Sequence, residues 1–231
     1  MVLGGDMNGA RIGFAVLVLA IGGLAVGASY LRKNAAVDTH RYARQAILHF
    51  TLSRIDQPII IIGDSLTEAS MLPPSVCGHP VVNAGLDGAS TASDLGTWLI
   101  EVLNGRRAAA VLVALGTNDA LLKHSTSDFE TSYAALLGQL AGVTDHLAVL
   151  GIPAVETRGG MTAERQTDAM SRVDALNAML PALASKGHAA FIPMPSMPAP
   201  HTIDGVHLDA AGYAVWTDAV LKGVSGACST R

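Results

Sequence analysis

The chain has 231 residues, enough for one domain and an appendage, and half of them are hydrophobic. Only 4% are aromatic, so a core has to be built from Ala, Val, Leu and Ile. The formal net charge is -4, and the absence of a basic stripe or of aromatic and basic residues interleaved excludes a nucleic-acid binder.

In chain order, the first element is an uncharged run at 12–31, "IGFAVLVLAIGGLAVGASYL", preceded by Arg11 and closed by Arg32 and Lys33. A helix of about 20 apolar residues spans a bilayer core, and this run has no polar face. A membrane anchor is the favoured reading of residues 1–31. A cleaved signal peptide, with small residues at Val26-Gly27-Ala28, is the alternative. Positive charge is denser after the run than before it, which by itself would keep the rest of the chain in the cytoplasm. Signal anchors nevertheless usually send their C-terminal side out. The expectation is an inner-membrane anchor with the main domain periplasmic, or a secreted protein if the run is removed.

Residues 32–56 are polar and mixed, with weak helical periodicity, and read as a linker or first helix. Residues 57–231 form the main domain. "PIIIIG" (58–63) is a strand and "PVVNAG" (80–85) a second, shorter one. A helix is predicted at 93–103, then a strand in "AAAVLVALG" (108–116), a helix at 129–140 and a strand in "HLAVLGIP" (146–153). Helical periodicity at 163–183 carries Pro181, which should end or kink it. "HAAFIP" (188–193) is the last strand, and a helix at 209–222 has Asp209 as a plausible N-cap. Apolar strands without alternation are buried on both faces. Five of them alternating with helices predict an α/β domain with a parallel five-stranded sheet covered on each side. Ligands of such sheets bind at the carboxyl ends of the strands.

The residues at those ends are Gly63-Asp64-Ser65 after the first strand, Asn83-Ala84-Gly85 after the second and Gly116-Thr117-Asn118-Asp119 after the third. Asp204-Gly205-Val206-His207 follows the last strand and the Pro-rich "IPMPSMPAP". These are the parts of an acyl-transfer site. A serine hydroxyl needs a base, which histidine supplies near neutral pH, and the imidazole needs an acceptor to hold one tautomer. N–H donors must then meet the oxyanion. Taken singly, Ser65 could be an N-cap, Gly85 a turn glycine, Asn118 and Asp119 helix caps, and Asp204 with His207 a surface turn. All four would have to coincide.

The same residues resemble the SGNH, or GDSL, hydrolase superfamily of serine esterases and lipases. "GDSLTE", "NAGLDG", "GTND" and "DGVHLDAAG" match its blocks in order over roughly residues 58–222. The resemblance implies Ser65 as nucleophile, His207 as base and Asp204 as its partner. It implies Ser65, Gly85 and Asn118 as oxyanion donors. It further implies a three-layer α/β/α, flavodoxin-like sandwich that needs no metal and no organic cofactor. No G-x-S-x-G elbow, H-E-x-x-H helix or P-loop competes, and Cys77 with His79 gives two ligands, too few for zinc. Cys77 and Cys228 could form one disulfide or remain two thiols.

With few aromatics and few long insertions, a short acyl group on a carbohydrate, acetate first, is the expected substrate. An exported polysaccharide fits an external domain. Lysophospholipid or thioester hydrolysis, acyl transfer by the same residues, and a non-catalytic polysaccharide-binding module are the alternatives.

Overall fold

The four isoleucines of β1 (Ile59–Gly63) are all buried, and they alternate between two cores. This strand is therefore the centre of a layered structure. A computed structural model describes residues 39–229. The predicted membrane run at 12–31 lies outside them; among the described residues no helix is long and apolar enough to cross a membrane. The chain divides into two units, 1–46 and 47–231. Residues 39–46 are helical in the first. In the second, residues 47–52 are helical and form α1, inside the stretch read as a linker or first helix.

The strands that follow are β2 (Ser75–Val76), β3 (His79–Gly85), β4 (Ala110–Ala114), β5 (Leu147–Leu150) and β6 (Ala190–Ile192). They form one sheet in the order β2-β3-β1-β4-β5-β6. All neighbours are parallel except the two-residue edge strand β2, which is antiparallel to β3. The five predicted parallel strands are thus present, with β2 added. It is too short to leave a periodic signal. Numbered among themselves, the parallel strands run 2-1-3-4-5, the doubly wound order whose direction reverses beside its first strand. That reversal puts the carboxyl end of β1 at the binding crevice.

One core holds Ile60, Ile62, Val111, Val113 and Val149 against α1 and three further helices. These are α3 (Leu95–Leu103), α5 (Thr126–Leu140) and α6 (Ala163–Lys186), introduced here after the short α2 (Ser65–Glu68) and α4 (Thr117–Leu121). The other core holds Ile59, Ile61, Leu112 and Leu150 against Trp216, Ala219 and Val220 of α7 (Ala210–Val224). Period-two side-chain alternation along each strand therefore feeds both faces of the sheet.

Pro181 does not end α6, which continues to Lys186. Its ring lies on the exposed face, where water can serve the carbonyl it leaves unpaired. Cys77 and Cys228 form a disulfide that ties the β2–β3 turn to the terminal 3-10 turn Ser225–Ser229.

Candidate active site

Ser65 is the first residue of α2, directly beyond β1. Asp64 caps this helix by accepting from the Leu66 N–H at 3.0 Å. Asp64 is sealed from solvent, and that burial pushes its carboxyl up to about 6 against the pull of the Leu66 N–H. A four-residue helix cannot hold itself, so its neighbours do. Asn83 Nδ2 donates to the Thr67 carbonyl at 2.6 Å and reaches Ser70 O at 3.3 Å. The Tyr213 hydroxyl donates to Leu66 O at 2.9 Å. Burial, with the Asp64 charge beside it, pushes this phenol up to about 12, so it remains a donor.

From the far end of the chain, His207 Nε2 comes to 3.0 Å from Ser65 Oγ across 142 residues of sequence. His207 Nδ1 stands 2.7 Å from Asp204 Oδ2. A carboxylate only accepts, so Nδ1 carries the proton and Nε2 is left to accept from the serine hydroxyl. The other Asp204 oxygen accepts from the backbone N–H of Val206 at 3.0 Å and of His207 at 2.8 Å. Partial burial pushes the Asp204 carboxyl up, but these donors, with the His207 ring, outweigh it and hold it below the usual aspartate range. Gly205 makes the turn possible: its φ is +97°, and a Cβ there would lie 2.5 Å from the Glu156 carbonyl.

Of the three expected oxyanion donors, two are near the serine. The Ser65 N–H opens α2 and makes no hydrogen bond among the described residues. Asn118 lines the same cleft; its Nδ2 donates to Ala89 O at 2.8 Å, which leaves a second amide hydrogen. Neither Asn118 nor Asp119 caps α4, whose N-cap Gly116 offers no side-chain bond. Asp119 is buried and instead accepts from the Thr91 N–H at 3.1 Å and the Thr91 hydroxyl at 2.7 Å. Together they pin the loop after β3 to α4.

Gly85 departs from the expectation. Its N–H donates to Asn83 Oδ1 at 3.0 Å, and it does not line the cleft. A Cβ at Gly85 would fall 2.2 Å from Glu68 N, so what the position requires is close passage of β3 against α2. The segment reaches the cleft two residues later. The Asp87 N–H is taken by Glu68 Oε2 at 2.6 Å. The Gly88 N–H, in a residue with φ of +73°, makes no hydrogen bond among the described residues. Of the two glycines in "NAGLDG", the second is the one with a donor to spare, and that second glycine was the only sequence signal for it.

The cleft measures about 440 Å³ and is bordered also by Asp87, Gly160 and Arg165. Arg165 stands in the first turn of α6 and belongs to no motif. Among the described residues no group of three His, Cys, Asp or Glu side chains could hold a metal ion.

A family model described as "GDSL-like Lipase/Acylhydrolase family" matches residues 61–215. Among solved structures, the chain is similar to a Streptococcus pneumonia protein described as a platelet activating factor. That pair shares 21% identity over 85% of this chain and 98% of the other, with a TM-score of 0.66. It is also similar to Axe2, an acetylxylan esterase from Geobacillus stearothermophilus, at 16% identity over 73% of this chain and 94% of that one, with a TM-score of 0.58. Structures of Axe2 include catalytic mutants at a serine, an aspartate and a histidine, the last two three positions apart. At these identities the likeness is one of fold. No curated protein matches the chain in sequence.

Proposed function

The chain belongs to the GDSL-like lipase/acylhydrolase family and is an ester-cleaving hydrolase, and we propose that it works through Ser65, His207 and Asp204, removing short acyl groups, acetyl first, from a carbohydrate. The observation that carries this reading is the unbroken chain Ser65 Oγ–His207 Nε2, His207 Nδ1–Asp204 Oδ2, at 3.0 and 2.7 Å.

In the first step Ser65 Oγ attacks the ester carbonyl and His207 Nε2 takes its proton. Asp204 keeps Nδ1 protonated and supports the imidazolium. The Ser65 N–H, the free amide hydrogen of Asn118 and the Gly88 N–H meet the charge that develops on the carbonyl oxygen. His207 passes its proton to the alcohol as the C–O bond breaks, leaving an acyl-serine. Water, deprotonated by His207, attacks the acyl-serine; the acid leaves and Ser65 recovers its proton from the imidazolium.

Two observations support a small acyl group on a sugar. The cleft is modest, and Asp87, Asn118 and Arg165 border it beside Leu121, Met161 and Val206, a mixed lining that offers polar partners to a sugar. The fold is shared with an acetylxylan esterase whose catalytic aspartate and histidine have the spacing of Asp204 and His207. The Cys77–Cys228 disulfide supports an oxidising, extracytoplasmic location, as does the uncharged run at 12–31. An exported polysaccharide is the matching substrate.

The test is a series of p-nitrophenyl esters of increasing chain length beside acetylated oligosaccharides, with wild type and Ser65→Ala. The expectation is turnover of acetate esters, abolished in the variant, and a fluorophosphonate adduct at Ser65. Activity confined to long chains rejects the acetyl assignment, and full activity in Ser65→Ala rejects the nucleophile.

A further inference from the structure

The turn that carries Asp204 and His207 is held from outside by one carboxylate. Glu156, in the segment between β5 and α6, accepts through Oε2 from the His201 N–H at 3.0 Å, the Thr202 N–H at 2.8 Å and the Thr202 hydroxyl at 2.6 Å. Its Oε1 stands 3.1 Å from His201 Nδ1. Its own N–H donates to Gly205 O at 2.8 Å. The Thr202 hydroxyl, besides donating to Glu156, accepts from the Gly205 N–H at 3.2 Å. Asp204 thus sits between two residues, 202 and 205, that are both tied to Glu156. Among the described residues, the remaining hydrogen bond to residues 201–205 from outside the turn joins His201 Nε2 to the Ala154 carbonyl.

The turn closes on itself above this base. The Ile203 N–H donates to His207 O at 2.8 Å, the Asp209 N–H donates to His201 O at 2.9 Å, and residues 202 and 208 form a bridge. Thr202 is fully buried and the Glu156 side chain is 12% exposed. Burial pushes the Glu156 carboxyl up, but the Thr202 hydroxyl and the two backbone donors outweigh it, so it stays ionised at neutral pH. A carboxylate that collects three donors from two consecutive residues fixes both position and rotation of that segment.

We propose that Glu156, acting through Thr202, is a positioning residue that aims Asp204 at His207. It touches no reacting atom. Its effect passes through the turn, and a misplacement of about 1 Å there is enough to cost up to about a hundredfold in rate. The proposal rests on the triad reading above, so its test needs one measurement that does not depend on turnover.

The variants are Glu156→Gln, which keeps the shape and loses the charge, Thr202→Val, which loses the hydroxyl, and Thr202→Ser, which keeps it. kcat and KM are measured on p-nitrophenyl acetate well below each variant's Tm. The His207 Nδ1 proton is followed by NMR as a far-downfield signal. In Glu156→Gln and Thr202→Val, kcat should fall roughly tenfold to hundredfold with KM nearly unchanged, and the downfield proton should broaden or vanish. Thr202→Ser should restore both. Retained kcat, or a retained downfield proton, in both disabled variants overturns the proposal and leaves Glu156 a purely structural anchor. If wild type turns over no ester, the triad reading fails, and the proton signal still decides whether Glu156 aims Asp204.

Discussion

Replacing Asp64 by asparagine should flatten the pH dependence of stability. Asp64 lies beneath the serine, sealed from solvent, with Oδ1 accepting from Leu66 N–H and Oδ2 unpartnered among the described residues. Its carboxyl rises from 3.8 to about 6 on folding. The folded protein therefore binds this proton more tightly than the unfolded chain. The sign follows: the stabilisation is complete below about pH 4 and is lost as pH rises through about 6. A rise of that size corresponds to about 3 kcal/mol. Asp204 and Glu156, held low in the fold, act in the opposite sense, since their contribution is present near neutrality and lost as pH falls through their folded values. Both remain in the variant and cancel in the comparison. The side-chain amide of the Asp64→Asn variant can still accept from the Leu66 N–H, but it places an NH2 where Oδ2 had no partner. A constant offset between the two curves is therefore expected, and the difference in slope is the test. Urea denaturation from pH 4 to pH 7.5 should show wild type losing about 3 kcal/mol that Asp64→Asn does not lose. Parallel curves across that range would refute the burial argument.

Asn118→Ala removes the oxyanion donor proposed above and the bond to Ala89 O. kcat on p-nitrophenyl acetate should fall by about 100- to 1000-fold with a smaller change in KM; a loss under about fivefold would remove Asn118 from that role. Cys228→Ser opens a cross-link between residues 151 apart. The long loop it frees predicts a loss of about 2–5 kcal/mol, read as a lower denaturation midpoint, and an unchanged midpoint would contradict it.

The fold was legible where burial is two-sided. Ile59 to Ile62, Ala110 to Val113 and Leu147 to Leu150 are unbroken apolar runs because both sheet faces are covered. Each was read longer than the strand it holds, because apolar flanking residues such as Pro58, Ala108, Ala109, Leu115 and Ile152 continue the run past the strand ends. The elements given no range from the sequence are β2, α2, α4 and the 3-10 turn Ser225–Ser229, of two, four, five and five residues. None completes two helical turns or two strand alternations, so periodicity cannot register them. What creates them is tertiary: α2 exists because Asn83 and Tyr213 hold its carbonyls.

The site divides along the same line. That Ser65, Asn118, Asp204 and His207 meet at one cleft was readable because the proposed chemistry calls for those side chains and each sits in a short block. Gly85 shows the limit of that logic. Its block was right, but which of two glycines has a free N–H depends on where Asn83 Oδ1 and Glu68 Oε2 point. Glu156 and Thr202 lie further beyond reach. A glutamate after β5 has no motif, and its three bonds to residues 201 and 202 cross 45 positions of sequence or more. A residue that acts on the substrate is constrained by reaction chemistry, which sequence can display. A residue that acts by holding another is constrained only by a partner elsewhere in the chain. The parts of this enzyme that set precision, as opposed to reactivity, are therefore the ones that only the folded arrangement discloses.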